Sequence, residues 1–163
     1  MKKQGSTRMQ RLASKLAFVM AITAIGVFGA DRQAGTWKVN ASNVKSTAAN
    51  RIASRTEVYE ATPDGGMKVT KTDQRADGAS LKYSYTCKYD GKACPVAGAL
   101  YDTISFKRID TDTTSYETRK TGGVFHTTGR VVVSKDGKTK TQTTTGTGVD
   151  GKPVATTMVY NKQ

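Results

Sequence analysis

The sequence predicts an all-β fold, an antiparallel up-and-down meander that closes into a barrel of eight to ten strands. Turn signals recur from one end of the chain to the other: Pro63-Asp64-Gly65-Gly66, Ala76-Asp77-Gly78, Asp90-Gly91, Lys120-Thr121-Gly122-Gly123, Asp136-Gly137 and Asp150-Gly151, with a weaker one at Asp110-Thr111-Asp112. Between them lie segments of about eight residues rich in Thr, Val, Tyr and Ile, which favour strands. The 163 residues include 16 glycines and only 36% hydrophobic residues, a balance that suits a β-rich chain better than a helical bundle.

The first element is an export signal over residues 1–30. Lys2, Lys3, Arg8, Arg11 and Lys15 precede an apolar run, Leu16 to Phe28, broken only by Thr23 and Gly26. A basic start, a short apolar helix and small residues after it read as a signal peptide. The run falls short of the roughly 18 to 20 residues a membrane span needs. Cleavage after Gly29 places Val27 at the −3 position, whereas cleavage after Ala30 places bulky Phe28 there; the first is preferred. The mature domain is then 31–163, with no transmembrane span left.

Ten strands follow: Thr36–Asn40, Ser54–Ala61, Met67–Asp73, Ser80–Lys88, Lys92–Val96, Asp102–Asp110, Thr113–Lys120, Val124–Ser134, Lys138–Thr147 and Val154–Asn161. Short connections require antiparallel neighbours, because a parallel crossover needs a dozen residues or more. An open meander leaves two strand edges exposed, and closure removes them. A sandwich is the alternative, but its crossings would be longer. The weakly patterned stretch Ala41–Ala53 reads as a short helix or a loop at one barrel end.

Alternation assigns the faces. Leu81, Tyr83, Tyr85 and Cys87 share one face of their strand; Met67 and Val69 point inward on theirs, as do Ile104, Phe106 and Arg108. An inward arginine needs a carboxylate, from a bound acid or from an internal Glu57 or Glu60. The strand carrying Lys140, Gln142 and Thr144 alternates these with Thr139, Thr141, Thr143 and Thr145, so neither face is apolar. It either lines a polar cavity or forms a poorly buried edge.

The two cysteines are too few for a disulfide scaffold or a four-thiolate zinc site. With Asp90-Gly91 as a two-residue loop, Cys87 falls opposite Cys94 on an antiparallel pair, at a spacing a disulfide tolerates. An oxidising compartment favours the bond.

The formal charge is +13, from 26 basic and 13 acidic residues. Five of the basic residues belong to the signal, which leaves 21 against 13, a net of +8, scattered over the strands. That scatter and export argue against a nucleic-acid partner. The lone His126 sits on a strand, and no G-x-S-x-G elbow, H-E-x-x-H helix or Cys/His metal cluster appears. The glycines from Gly146 to Gly151 make a hairpin loop. Nothing in the sequence calls for a cofactor or marks an enzyme.

Gly35-Thr36-Trp37 on the first strand resembles the G-x-W opening of lipocalin-type barrels. The run Gly35–Asn40, Asp102–Asp110, Thr128-Gly129-Arg130, Ser134–Thr139 and Val159–Gln163 is similar to a group of small exported bacterial lipocalin-like proteins, largely uncharacterised. The resemblance implies that Trp37 plugs the barrel base beside an arginine of a late strand, here Arg130. It also marks Lys140 and Gln142 as departures, since relatives carry apolar residues there.

Two functions follow. The first is a periplasmic or secreted monomer holding a small amphipathic or acidic ligand among Tyr83, Tyr85, Phe106 and Arg108, with Lys140 and Gln142 as further interior groups. The second is an envelope-associated protein whose basic outer surface meets anionic polymers or lipid headgroups, with no internal ligand. A hollow interior would favour the first, a solid one the second.

Overall fold

The computed structural model describes residues 31–47 and 52–163. The expected signal peptide over 1–30 and its cleavage site lie outside the described residues, as do positions 48–51 of the weakly patterned stretch. The strands are β1 (Gly35–Asn40), β2 (Val44–Ser46), β3 (Ile52–Ala61), β4 (Met67–Arg75), β5 (Ser80–Cys87), β6 (Asp90–Pro95), β7 (Thr103–Arg108), β8 (Thr113–Arg119), β9 (His126–Val133), β10 (Thr139–Thr147) and β11 (Pro153–Lys162). No α-helix occurs among the described residues.

All pairings are antiparallel, and the sheet runs β5-β4-β3-β1-β11-β10-β9-β8-β7-β6. The meander is nearly complete as a barrel. β1 bridges β3 and the last strand, β11, and the two ends of the path, β5 and β6, are neighbours in sequence. The stretch expected as a helix or loop divides in two. Ala41–Asn43 makes one 3-10 turn, and β2 then pairs with β11 through Val44↔Met158 and Thr156↔Ser46. The turn steps the chain from one part of β11 to another. The sequence-predicted count of ten rises to eleven because of this three-residue strand.

The hairpins close as their turn residues demand. At β3–β4, Gly65 takes a φ of 78° and its amide donates to the Thr62 carbonyl at 3.1 Å. A side chain at that φ would be strained, so glycine is needed there. The Cys87–Cys94 disulfide is present, with Cα atoms 5.6 Å apart. The ladder expected around it is not: among the described residues β5 pairs only with β4, and β6 only with β7. Asp90-Gly91 opens β6 instead of forming a two-residue turn, and β6 runs along β7 with a bulge between Asp90 and Ala93. The disulfide therefore joins the two sheet ends across a gap without ladder hydrogen bonds. Tyr85 of β5, stacked on Phe106 of β7 with centroids 6.0 Å apart, fills the same gap.

Among the described residues, one barrel end is closed and the other open. At the closed end Trp37 is fully buried, and its indole Nε1 donates to the Gln33 carbonyl at 2.7 Å. Gln33, itself buried, donates to the Thr114 hydroxyl at 2.6 Å. Trp37 is packed into this end, and its cationic neighbours are Lys140 and Lys162, whose Nζ atoms lie 5.2 and 5.1 Å from the indole ring centre. Arg130 does not play the expected part. Val131 and Val133 point inward from β9, so period-two geometry turns Arg130 out to solvent.

Candidate functional site

The barrel interior is built on one cross-strand pattern. The β3–β4 hairpin pairs Arg55 with Asp73 and Glu57 with Lys71, directly opposite one another. Opposite charges at such positions attract, and here all four side chains face inward. Lys140 joins them from β10 and is completely shielded from solvent. Among the described residues, five charged side chains therefore meet inside the barrel, three positive and two negative.

Glu57 is the hub. Its Oε2 lies 2.5 Å from Lys140 Nζ, and its Oε1 lies 3.0 Å from Lys71 Nζ and 3.8 Å from the Arg55 guanidinium. The hydroxyls of Tyr59 and Tyr160 donate to it at 3.1 and 3.2 Å. Arg55 forms a bidentate pair with Asp73, through Nε at 2.5 Å and Nη2 at 2.7 Å. Beside this layer Gln142 donates to the Tyr116 hydroxyl at 2.8 Å, and Tyr116 shares a hydrogen bond with the Thr144 hydroxyl.

Proton affinities follow from this geometry. Burial opposes the Glu57 charge, but Lys140, Lys71 and Arg55 outweigh it and hold the carboxyl well below the usual carboxylate range. Burial also opposes the charge on Lys71, yet Glu57 and the neighbouring tyrosine hydroxyls leave its pKa well above the ordinary lysine value. For Lys140 burial prevails over the attraction of Glu57, and its pKa falls to about 8. Burial raises the hydroxyls of Tyr59, Tyr85 and Tyr160.

Toward the open end lies a cavity of about 430 Å³. Arg55, Lys71, Asp73 and Gln142 form its polar floor, while Glu57 and Lys140 lie behind the lining. Leu81, Ile104, Val131 and Met158 supply aliphatic wall. Six of the ten aromatic side chains beyond residue 30 complete it: Tyr59, Tyr83, Tyr101, Phe106, Tyr116 and Phe125. At the mouth, Leu100 and Val149 are 44% and 49% exposed. An apolar chamber with a few convergent polar groups at one end is the usual form of a small-molecule site.

Of the interior residues expected from sequence, Tyr83, Phe106 and Gln142 line this cavity. Tyr85 and Lys140 are buried but outside the lining. Arg108 does not reach it. Sitting at the last position of β7, it pairs with the Asp31 carboxylate, and its guanidinium carbon lies 3.8 Å from the Tyr89 ring centre. Lys140 and Gln142 belong to a central strand between β9 and β11, so β10 is no edge. Glu57 is the internal glutamate, whereas Glu60 is exposed and 3.3 Å from Lys68. His126 lies on the outer wall, its Nε2 2.7 Å from the Glu117 carboxylate.

The residues missed from sequence are Arg55, Lys71 and Asp73. A signal was available. Continuing the inward phase of Met67 and Val69 places Lys71 and Asp73 inside, and folding the chain at Asp64-Gly65 sets Arg55 against Asp73. Among the described residues no cluster of metal-ligating side chains is assembled, and no helix is long and apolar enough to cross a membrane.

No protein family and no curated protein matches the sequence. Solved structures do match the shape. The wild-type fluorescent protein UnaG superposes with a TM-score of 0.52 at 13% identity, covering 81% of this chain and 98% of that one. A single-substitution mutant of UnaG gives 0.52 at 12% identity, over 81% and 96%. The siderocalin Ex-FABP gives 0.42 at 11% identity, over 81% and 74%. What the likeness to UnaG shows is the fold: this chain is an antiparallel β-barrel of the same architecture.

Proposed function

We propose that the protein is an exported, lipocalin-like binding protein that holds one small amphipathic or acidic molecule inside its barrel and performs no chemistry on it. The observation that carries this reading is the cavity of about 430 Å³, with apolar walls and a floor where Arg55 is paired with Asp73 and Lys71 with Glu57 behind it. Burying an apolar body there contributes about 25 cal/mol per Å² removed from water. Each charged floor group is held in an ion pair, so no base and nucleophile converge on a free reacting position. Export is supported by the disulfide, which persists in oxidising compartments, and by the basic-then-apolar start of the sequence.

The reading as a basic envelope-binding surface draws less support. Outer lysines sit beside carboxylates, as in Lys88–Asp64 at 3.0 Å and Lys120–Asp102 at 3.6 Å, which blunts any local basic field. The protein acts in this account as a monomer, with no nucleic-acid partner. Native mass spectrometry of protein purified from its own host tests it. A constant added mass, lost on denaturation, is expected. Apoprotein mass throughout, with salt-sensitive retention on anionic vesicles, would favour the surface reading instead.

A further inference from the structure

We propose that the occupant of the cavity is a flat aromatic molecule bearing one negative charge, with its anionic group against Lys71 and its rings toward the mouth. This rests on the binding reading above and names the ligand class and its orientation.

The charge follows from the balance inside the barrel. Arg55 is matched by Asp73 through two parallel hydrogen bonds. Lys140 is matched by Glu57 at 2.5 Å. Lys71 is the third cation and shares Glu57 with Lys140. It also lines the cavity, so the surplus positive charge faces the space a ligand would occupy. A buried charge without a full counter-charge is unfavourable, and one anion at this position would neutralise the layer. A dianion would reverse the imbalance, which selects a single charge.

The ring preference follows from the walls. Tyr101 and Phe125 lie nearly parallel, with planes 11° apart and centroids separated by 6.1 Å. Tyr83 meets Tyr101 edge-on at 6.0 Å. Phe106 and Tyr116 stand as a tilted pair at 6.2 Å lower in the same cavity. Aromatic surfaces favour stacked and edge-to-face partners, and a rigid ring system loses less freedom on binding than an alkyl chain of equal area. With charged floor and aromatic walls, the anion lies deep and the rings nearer the opening.

Three fluorescence titrations test this with the full barrel domain. The probes are 1-anilinonaphthalene-8-sulfonate, which has rings and one charge; N-phenyl-1-naphthylamine, with the same rings and no charge; and octyl sulfate as competitor, with the charge and no rings. The sulfonate is expected to bind at least tenfold tighter than either, and to do so still in 0.5 M NaCl, because a buried pair is weakly screened. Lys71→Met should abolish the preference for the sulfonate over the amine, and Lys71→Arg should keep it. Equal affinity for the two ring probes, a preference lost in salt, or a preference unchanged in Lys71→Met overturns the charge assignment while leaving the binding barrel intact. Octyl sulfate binding as tightly as the sulfonate overturns the ring assignment. Should Lys71→Met fail to fold, the wild-type affinity ratio and its salt response decide alone. Failure of all three probes to bind wild-type protein overturns the binding reading itself.

Discussion

Lys140 Nζ lies 2.5 Å from the Glu57 carboxylate, and both side chains are wholly shielded from solvent. Neither charge would be tolerated at that depth alone. The pair is asymmetric, however. Glu57 also serves Lys71 and Arg55, whereas among the described residues Glu57 is the only carboxylate within ion-pair distance of Lys140. Glu57→Gln takes the carboxylate away from Lys140 and Lys71, while Arg55 keeps Asp73, and should destabilise the barrel by about 3–5 kcal/mol. Lys140→Met leaves Glu57 with two cations and fills the space with apolar volume, so a smaller loss is expected. Urea unfolding of the two variants compares them directly; a larger loss in Lys140→Met would refute the hub role of Glu57.

The same hub predicts an acid limit. Glu57 has a folded pKa well below its ordinary value, so its ionised form favours the folded state. That contribution is fully present above the unfolded carboxyl value of about 4.3 and fades as pH falls through it toward the folded value. Stability of the wild type should therefore decline steeply below about pH 4. Glu57→Gln should show a visibly shallower decline across the same range, because the group that titrates is gone. Parallel curves for the two proteins would exclude Glu57 as a source of the acid sensitivity.

The disulfide has a structural duty of its own. β5 and β6 are the ends of the sheet, and Cys87–Cys94 bridges them where no ladder does. The chain-entropy model gives about 2.5 kcal/mol for so short a loop. Replacing both cysteines with serine should lower stability by about that amount and speed amide exchange in β5 and β6 before other strands. Uniform exchange across the barrel would show that the gap is held by packing alone.

Gly129, in the middle of β9, is a point of close approach. A Cβ built there would overlap the Thr143 carbonyl oxygen and the Tyr116 hydroxyl, the group that receives the Gln142 hydrogen bond. Gly129→Ala should thus displace Tyr116 and destabilise by about 1–3 kcal/mol, as overpacking does. A neutral effect on the thermal midpoint would indicate that Tyr116 has room to move.

Much of the fold was legible because each hairpin turn carries its own chemistry, as Asp64-Gly65-Gly66 and Asp136-Gly137 show, and because inward rows such as Leu81-Tyr83-Tyr85-Cys87 alternate cleanly. The interior was harder. Lys71 and Asp73 occupy inward positions yet look like surface residues, since charge ordinarily reports solvent. Only the pairing across β3 and β4, which brings Arg55 to Asp73 and Glu57 to Lys71, makes their burial tolerable, and that is a property of two segments at once. Arg108 misled for the converse reason: it follows the inward phase but sits at a strand end, where Asp31 and Tyr89 hold it at the base.

A crystal structure of the barrel with 1-anilinonaphthalene-8-sulfonate shows where an aromatic anion binds. The probe is expected in the cavity, with a sulfonate oxygen about 2.7–2.9 Å from Lys71 Nζ and the rings among Phe106, Tyr101 and Phe125. A probe bound only on the outer wall, with the cavity holding nothing but water, would contradict it.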